Sequence, residues 1–287
     1  MSLEKFVSII IPTFNRAELI YYTINSIINQ THVFWECIVV DDYSTDQTEK
    51  IIESLYLKDN RIKYVKNQRS KGATGARNTG ITYSKGEFIC FFDSDDIMHS
   101  TNLEKKIVFL NNYPSIDIVT SYSNVLDANS FKVDSFCWIT EGNILNDLIS
   151  GKTYVDTNSA VLRKKLLENN VYWDENCPSY QEFDFHLRLS QNAIYGYIPE
   201  ILIDYYRRGE GTISSDKIKD LKGRIFILNK FKKTYLKIIG RKAYNNKLID
   251  LYKEIKGLNL FSNLYITGFY FKNIINFHVI KLSKKSN

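Results

Sequence analysis

Four short runs of apolar, largely β-branched residues recur through the first hundred positions, each followed by a segment of a different period. The runs are Phe6–Ile11, Glu36–Val40, Arg61–Lys66 and Glu87–Phe92. After the first, apolar residues return at Leu19, Ile20, Ile24, Ile27 and Ile28, the spacing of an amphipathic helix. Asn15 and Glu18 stand ahead of them, three apart, in capping-box order. A second helix is expected from about Asp46 to Leu57, and a third, punctuated by glycine, within Gly72–Ser84 after Gly75. Strands alternating with helices imply crossover connections, hence an α/β fold with a mostly parallel central sheet and helices on both faces. Ligands of such sheets bind beyond the carboxyl ends of the strands. Here those ends carry Asp41-Asp42 and Asp93-Ser94-Asp95-Asp96. Solvated carboxylates have no reason to gather at one sheet edge, so their convergence marks a site.

A chain of 287 residues, 44% hydrophobic and 24% charged, suits one large domain with an appendage. The pattern becomes mixed after Tyr113, which divides residues 1–215 into a regular half, 1–113, and a less regular half, 114–215. Charge separates the remainder. Residues 216–287 hold 17 Lys/Arg against 4 Asp/Glu, a net of +13, while residues 1–215 carry −7. This basic, mainly helical extension interleaves lysines with Phe226, Phe231, Tyr235, Leu258, Phe261 and Tyr265, followed by Phe269, Phe271 and Phe277. One reading is a solvated helical face packed on its own domain; the other is an interfacial anchor on an anionic membrane surface. Nucleic acid is not expected as a partner, since no recognition module accompanies the charge.

Cys37, Cys90, Cys137 and Cys177 form no CxxC pair, and the first two lie in strand-like runs. Buried free thiols in a reducing cytoplasm fit this usage better than disulfides or zinc. Pro12 and the polar residues after it cut off the first apolar run, which reads as a strand rather than a signal peptide. No segment reaches the roughly 18–20 apolar residues of a membrane span. The expected location is the cytoplasm, at the inner face of the cell membrane if the tail binds lipid.

Chemistry concentrates in Phe88-Ile-Cys-Phe-Phe-Asp-Ser-Asp-Asp96. Carboxylates at i and i+2, just past a buried strand, can turn toward one ligand. Mg²⁺ and Mn²⁺ take oxygen ligands from one or two carboxylates plus substrate phosphates. A D-x-D alone is weak, because chance and helix capping produce many. Set in order with Ser8-Ile-Ile-Ile-Pro-Thr-Phe-Asn15, Ser26-Ile-Ile-Asn-Gln-Thr31, Val39-Val-Asp-Asp-Tyr-Ser-Thr-Asp46 and Gly75-Ala-Arg-Asn-Thr-Gly80, it resembles the GT-A glycosyltransferases of family 2.

The resemblance covers roughly residues 6–215 and implies a Rossmann-like GT-A fold. It also implies sugar transfer from a nucleotide-diphosphate donor, UDP favoured, to a glycan or lipid-linked acceptor in bacterial surface polysaccharide synthesis. Pro12, Thr13 and Asn15 would cradle the nucleotide, Asp42 would meet the uracil ring, and Arg77 would face the base or diphosphate. Asp41 would be structural. Asp93 would hold ribose or Mn²⁺/Mg²⁺, Asp95 the metal, and Ser94 would join the donor-binding set, with Asp96 supporting the loop. In Ser179-Tyr-Gln-Glu-Phe-Asp-Phe-His-Leu-Arg188, Glu182 inherits the family's catalytic base, although Gln181-Glu182 stands where Glu-Asp is usual. Asp184 would cap the helix, His186 would be packed, and Arg188 would pair with a carboxylate. Tyr205–Ser214 resembles the loop over the donor but lacks the metal-binding His of some relatives, leaving Arg207 or Arg208 near the diphosphate and Gly209 and Gly211 as a mobile lid. Asp156–Ser159 is expected to face acceptor or sugar.

An inverting displacement follows, with two alternatives. A sugar nucleotidyltransferase would need a Gly-rich basic loop where Pro12–Asn15 stands. A catalytically silent sugar-nucleotide or glycan-binding module is the other.

Overall fold

β1 (Val7–Thr13) is buried along its whole length, as is its parallel partner β2 (Trp35–Asp41). Both read as largely apolar runs, broken by Ser8 and Glu36, because helices cover both faces of a parallel sheet. β1 pairs Val7 with Trp35 and Thr13 with Asp41 on one side, and Val7 with Phe88 of β4 (Phe88–Phe91) on the other. β3 (Ile62–Lys66) extends the parallel set beyond β2. β1, β2 and β3 therefore end level, and the segments after Thr13, Asp41 and Phe91 share one edge.

The computed structural model describes residues 5–168, 172–207 and 216–257. Their nine strands form one sheet, ordered β3-β2-β1-β4-β8-β6-β9-β5. The remaining members are β5 (Ile97–Met98), β6 (Ile118–Leu126), β8 (Val161–Arg163) and β9 (Tyr195–Tyr206), with β7 (Lys132–Phe136) on β6. The sheet is parallel through β3-β2-β1-β4, turns antiparallel at β8, and regains a parallel pair in β6-β9. The mixed half expected after Tyr113 is thus the continuation of the same sheet.

The helices are α1 (Ile20–Ile28), α2 (Thr48–Tyr56), α3 (Ala73–Tyr83), α4 (Asn102–Asn112), α5 (Leu145–Ser150) and α6 (Gln181–Leu189). α1 buries Ile20, Ile24 and Ile27, as its period predicts. It starts five residues after Asn15, however, and Asn15 does not cap it: its Oδ1 accepts from Thr45 N at 2.8 Å instead. α3 begins before Gly75 rather than after it. A Cβ at Gly75 would meet the carbonyl oxygen of Ser70 at 1.9 Å, and one at Gly80 would meet Ile10 Cγ2 at 2.3 Å. Both glycines let α3 lie close to its surroundings. Cys37, Cys90 and Cys177 are buried and free, whereas Cys137 is exposed.

The chain divides into two compact units, residues 1–215 and 216–287. In the second, Asp216 caps α7 (Lys217–Lys230) by accepting from Ile218 N and Lys219 N. α8 (Lys232–Ile238) and α9 (Gly240–Gly257) follow. Leu221, Tyr235, Tyr244, Leu251 and Ile255 are buried, and Lys230, Lys232, Lys233, Lys237, Arg241 and Lys242 are exposed. Leu258, Phe261, Tyr265, Phe269, Phe271 and Phe277, and the Arg208, Gly209 and Gly211 of the expected lid, lie outside the described residues.

Gly80→Ala, which forces a methyl group into Ile10, is expected to cost about 1–3 kcal/mol of stability. Thermal denaturation measures this, and an unchanged midpoint would contradict the tight α3–β1 packing.

Candidate active site

The loops after β1 and β2 are stitched together by side chains bonding to backbone. Asn15 N donates to Ser44 Oγ at 2.9 Å, Ala17 N to Asp46 Oδ2 at 3.1 Å, and Arg16 N to Thr48 Oγ1 at 2.9 Å. Asn15 adopts φ 50° and Tyr43 φ 66°, which turns both chains sharply away from the sheet. Pro12 and Thr13 are buried at the end of β1, and Thr13 Oγ1 has no partner among the described residues. Asp41 serves the loop: its carboxylate accepts from Ser44 N, Ser44 Oγ and Tyr64 OH. Asp42 reaches further, accepting from Asn67 Nδ2 at 2.7 Å and from Gly72 N at 2.8 Å. These bonds fix its carboxylate between the β2 loop and the start of α3.

Arg77 is 5% exposed on α3 and donates through Nη2 to Asp93 Oδ1 at 2.8 Å. Its guanidinium lies 4.5 Å from the centre of the Trp173 ring, and Trp173 stacks on Phe185 of α6 at 4.3 Å and 6°. Phe91 meets both rings edge-on, at 5.2 and 5.7 Å. Asn78 fixes the Trp173 segment, exchanging hydrogen bonds with the Trp173 backbone at 2.9 and 2.8 Å. One aromatic pillar therefore joins α3, the end of β4 and α6.

Asp93, Ser94 and Asp95 follow β4. Ser94 is buried, Asp93 and Asp95 are partly open, and Arg16 Nε lies 3.4 Å from Asp95 Oδ2. Asn158 holds the turn from below. Its Oδ1 accepts from Asp93 N at 3.0 Å, while its Nδ2 donates to Asp93 Oδ2 at 3.3 Å and to Asp96 Oδ2 at 2.6 Å. Asp96 is buried and accepts from Tyr206 N, so it supports the loop. Burial, with Asp93 and Asp95 beside it, drives its pKa well above the usual carboxylate range. Asp156 accepts from Ser123 Oγ at 2.7 Å and Asn158 N at 3.1 Å, and burial raises its pKa too. The Asp156–Ser159 turn thus divides: Asn158 faces the acidic turn, and Asp156 faces β6.

Glu182 lies in the first turn of α6, after Tyr180 at φ 60°. Tyr154 OH donates to its Oε2 at 3.2 Å. Burial pushes its pKa up to about 7, against the lowering influence of Arg77 and with Asp93 and Asp156 adding to the rise. Arg77 and Asp93, which meet at the acidic turn, therefore also act on Glu182. Asp184 is fully buried and receives Arg188 Nε at 2.9 Å, an internal ion pair. His186 bonds Tyr195 OH and Thr157 Oγ1, and burial drives its pKa down to about 3, so it is a neutral packed residue.

Asp93 and Asp95, two residues apart in one turn, carry hard carboxylate oxygens. This donor set fits Mg²⁺ or Mn²⁺ completed by phosphate oxygens. Among the described residues no group of three or more His, Cys, Asp or Glu side chains assembles as a metal cage by itself. Arg207 donates its backbone N to Leu126 O. Sequence reasoning missed Asn67, Tyr154 and Trp173, and missed what Asn158 does, because each acts through partners distant in the chain.

A sheet with nucleotide-type loops at its carboxyl edge, a D-x-D turn and a carboxylate of raised pKa beside it define a sugar-nucleotide enzyme of the GT-A architecture. The family model described as glycosyl transferase family 2 matches residues 8–169. The chain belongs to that family and is a glycosyltransferase. It is 34% identical, over 79% of its length and 87% of the relative's, to the UDP-Glc:alpha-D-GlcNAc-diphosphoundecaprenol beta-1,3-glucosyltransferase WfgD of Escherichia coli. Among solved structures it resembles residues 1–349 of TarS from S. aureus in complex with UDP-GlcNAc, with TM-score 0.62 and 21% identity over 86% of this chain and 79% of that one. It also resembles the mannosyltransferase PcManGT from Pyrobaculum calidifontis in complex with GDP-Man and Mn²⁺, with TM-score 0.59 and 18% identity over 79% and 63% of the two chains. The two structural likenesses establish the fold.

Proposed function

We propose that the protein is an inverting, metal-dependent glycosyltransferase that moves a sugar from a UDP-sugar to a hydroxyl of a lipid-linked or glycan acceptor in bacterial surface polysaccharide synthesis. One observation carries the reading: Glu182, which accepts from Tyr154 OH at 3.2 Å, opens the helix α6 whose Phe185 stacks on Trp173, the ring that seats Arg77 against Asp93 at the acidic turn. A general base works best with a pKa near the operating pH. The UDP-glucose and diphosphoundecaprenol substrates in the name of the Escherichia coli relative support the donor and acceptor classes.

Pro12, Thr13 and Asn15 cradle the nucleotide, and Asp42, held by Asn67 and Gly72, accepts an N–H of the uracil ring. Arg77 faces the diphosphate with a guanidinium whose planar fork suits phosphate oxygens. Asp93 and Asp95 would hold the metal, with Ser94 between them in the donor site. A metal bound there would supply Lewis-acid stabilisation of the leaving diphosphate. Glu182 takes the proton of the acceptor hydroxyl. The acceptor oxygen bonds to the anomeric carbon as the bond from that carbon to the diphosphate oxygen breaks on the opposite face. UDP leaves with the bonding electrons, and the anomeric configuration inverts. A nucleotidyltransferase is disfavoured by the β1 loop, which offers no Gly-rich basic turn.

The second unit supports peripheral attachment. Residues 221–249 contain nine Lys/Arg and no Asp/Glu. Anionic lipid attracts such a surface by about 1 kcal/mol per basic residue near it. No helix among the described residues is long and apolar enough to cross a membrane.

Five measurements check this reading. In a thermal-shift panel of UDP, GDP, CDP and TDP with and without Mn²⁺, UDP with Mn²⁺ should stabilise most, by about 2.7 kcal/mol at 100 times its Kd; no shift by any nucleotide would sink the donor site. Glu182→Gln should lower kcat roughly 10²–10⁴-fold while leaving the UDP shift intact, and in the wild type kcat/KM should rise with pH through about 7. A Glu pKa raised by folding costs stability as pH climbs from the unfolded value toward about 7, so the Gln variant should melt no lower than wild type at pH 8. Finally, the triple variant Lys232→Glu, Lys233→Glu, Lys237→Glu should sediment less with anionic vesicles; equal sedimentation would remove the membrane role.

A further inference from the structure

We propose that Arg16 changes partners as the donor binds, leaving Asp95 to the metal and taking the diphosphate, so that metal and sugar nucleotide bind together. Arg16 thereby becomes a further donor-binding residue, an assignment that rests on the glycosyltransferase reading.

The backbone of Arg16 is fixed. Its N donates to Thr48 Oγ1 at 2.9 Å, and its carbonyl accepts from Leu19 N and Ile20 N, both at 2.9 Å. The side chain is held more loosely. Its Nε lies 3.4 Å from Asp95 Oδ2 as an ion pair, yet that buried Nε has no hydrogen-bond partner among the described residues. Nη1 reaches the carbonyl of the neighbouring Asn15 at 3.4 Å. The Arg16 side chain is 41% exposed, against 24% for that of Asp95. A loosely tied cationic arm therefore stands on a rigid base beside the acidic turn.

Arg77 shows a fixed arginine at the same turn. Its side chain is 6% exposed, its Nη2 donates to Asp93 at 2.8 Å, and its guanidinium rests on Trp173. The two acids of the D-x-D are thus each answered by an arginine, one locked and one loose. Arg77 Nε also lacks an acceptor among the described residues, so both arginines present an unmet donor here. A buried N–H without an acceptor is uncommon and costly, and two of them beside one turn point to an anion. A diphosphate suits them, since a guanidinium fork can pair with two phosphate oxygens at once.

Charge drives the exchange. An exposed ion pair is worth little, so a divalent cation arriving at Asp95 can displace it. A guanidinium and a divalent cation sharing one carboxylate repel each other. Arg16 stays charged at every physiological pH, so the metal arriving alone meets a positive guard. The diphosphate reverses the balance, because it neutralises the metal and gives the released guanidinium an anionic partner. Metal and donor each remove an obstacle to the other, a coupling that is reciprocal by thermodynamic necessity.

The test uses the full chain. Binding of Mn²⁺ alone is followed by the electron paramagnetic resonance of the free ion, and binding of UDP at saturating Mn²⁺ by calorimetry. Arg16→Ala and Arg16→Gln, the second keeping much of the side-chain length without the charge, should bind Mn²⁺ alone at least roughly threefold more tightly than wild type, the scale of one exposed ion pair. Both should bind UDP with Mn²⁺ roughly tenfold more weakly, the scale of one hydrogen bond to a charged group. The opposite signs are decisive, because a loop merely damaged by substitution weakens both ligands. Tighter Mn²⁺ and weaker UDP in both variants supports the exchange, and any other combination overturns it. A wild type that UDP does not stabilise with Mn²⁺ present is a different result: it overturns the glycosyltransferase reading, and the exchange falls with it.

Discussion

The Trp173 ring, with the Arg77 guanidinium on one face and Phe185 on the other, is the contact on which the site depends. An almost fully buried guanidinium is costly unless its charge is answered nearby. Asp93 answers it with a 2.8 Å hydrogen bond, and the aromatic face adds the attraction of a cation for a π-system. Remove the ring and Arg77 loses its seat, Asp93 loses a fixed partner, and α6 loses its register against β4. The acidic turn and Glu182 are thereby placed by one stack of side chains drawn from three separate segments.

Around that stack the protein tolerates a crowd of acids. Asp96, Asp156 and Glu182 crowd the half-open Asp93, and burial raises the pKa of all three. Asn158 makes the crowding workable, because its amide donates to two of these carboxylates while its oxygen and backbone N tie down the turn and Asp156. The result trades stability for a carboxyl group able to accept a proton near neutrality. Glu36 shows the opposite case within the same sheet. Burial raises its pKa, yet Lys63, Ser8 and the Lys85 backbone outweigh that and lower it, so it stays an ordinary structural anion.

The parallel half of the fold was legible because its strands are buried on both faces and so spell largely apolar runs, β1 and β2 above all. The acidic turn was legible for a related reason: a short polar motif directly after such a run can only lie at the sheet edge. Asn15 misled, since its spacing to Glu18 suits a cap while its actual bond runs to Thr45 on the next loop, thirty positions on. Trp173, Asn158 and Tyr154 left no local trace. Asn158 meets Asp93 across 65 positions and Asn78 meets Trp173 across 95, and no periodicity encodes such pairings. The second half of the sheet was obscured by its switch to antiparallel order at β8, which breaks the strand–helix rhythm.

The stitching of the β1 loop to the β2 loop has a consequence for how such an enzyme can diversify. Asn15, Ala17 and Arg16 are secured by Ser44, Thr45, Asp46 and Thr48, all within the first fifty positions. The β6–β7 hairpin, whose Phe131 and Val133 stand exposed, shares none of these bonds. Substitutions on that hairpin can accumulate without loosening the bonds that shape the β1 and β2 loops. A lineage built on this plan can vary its second half while inheriting that edge of the sheet unchanged.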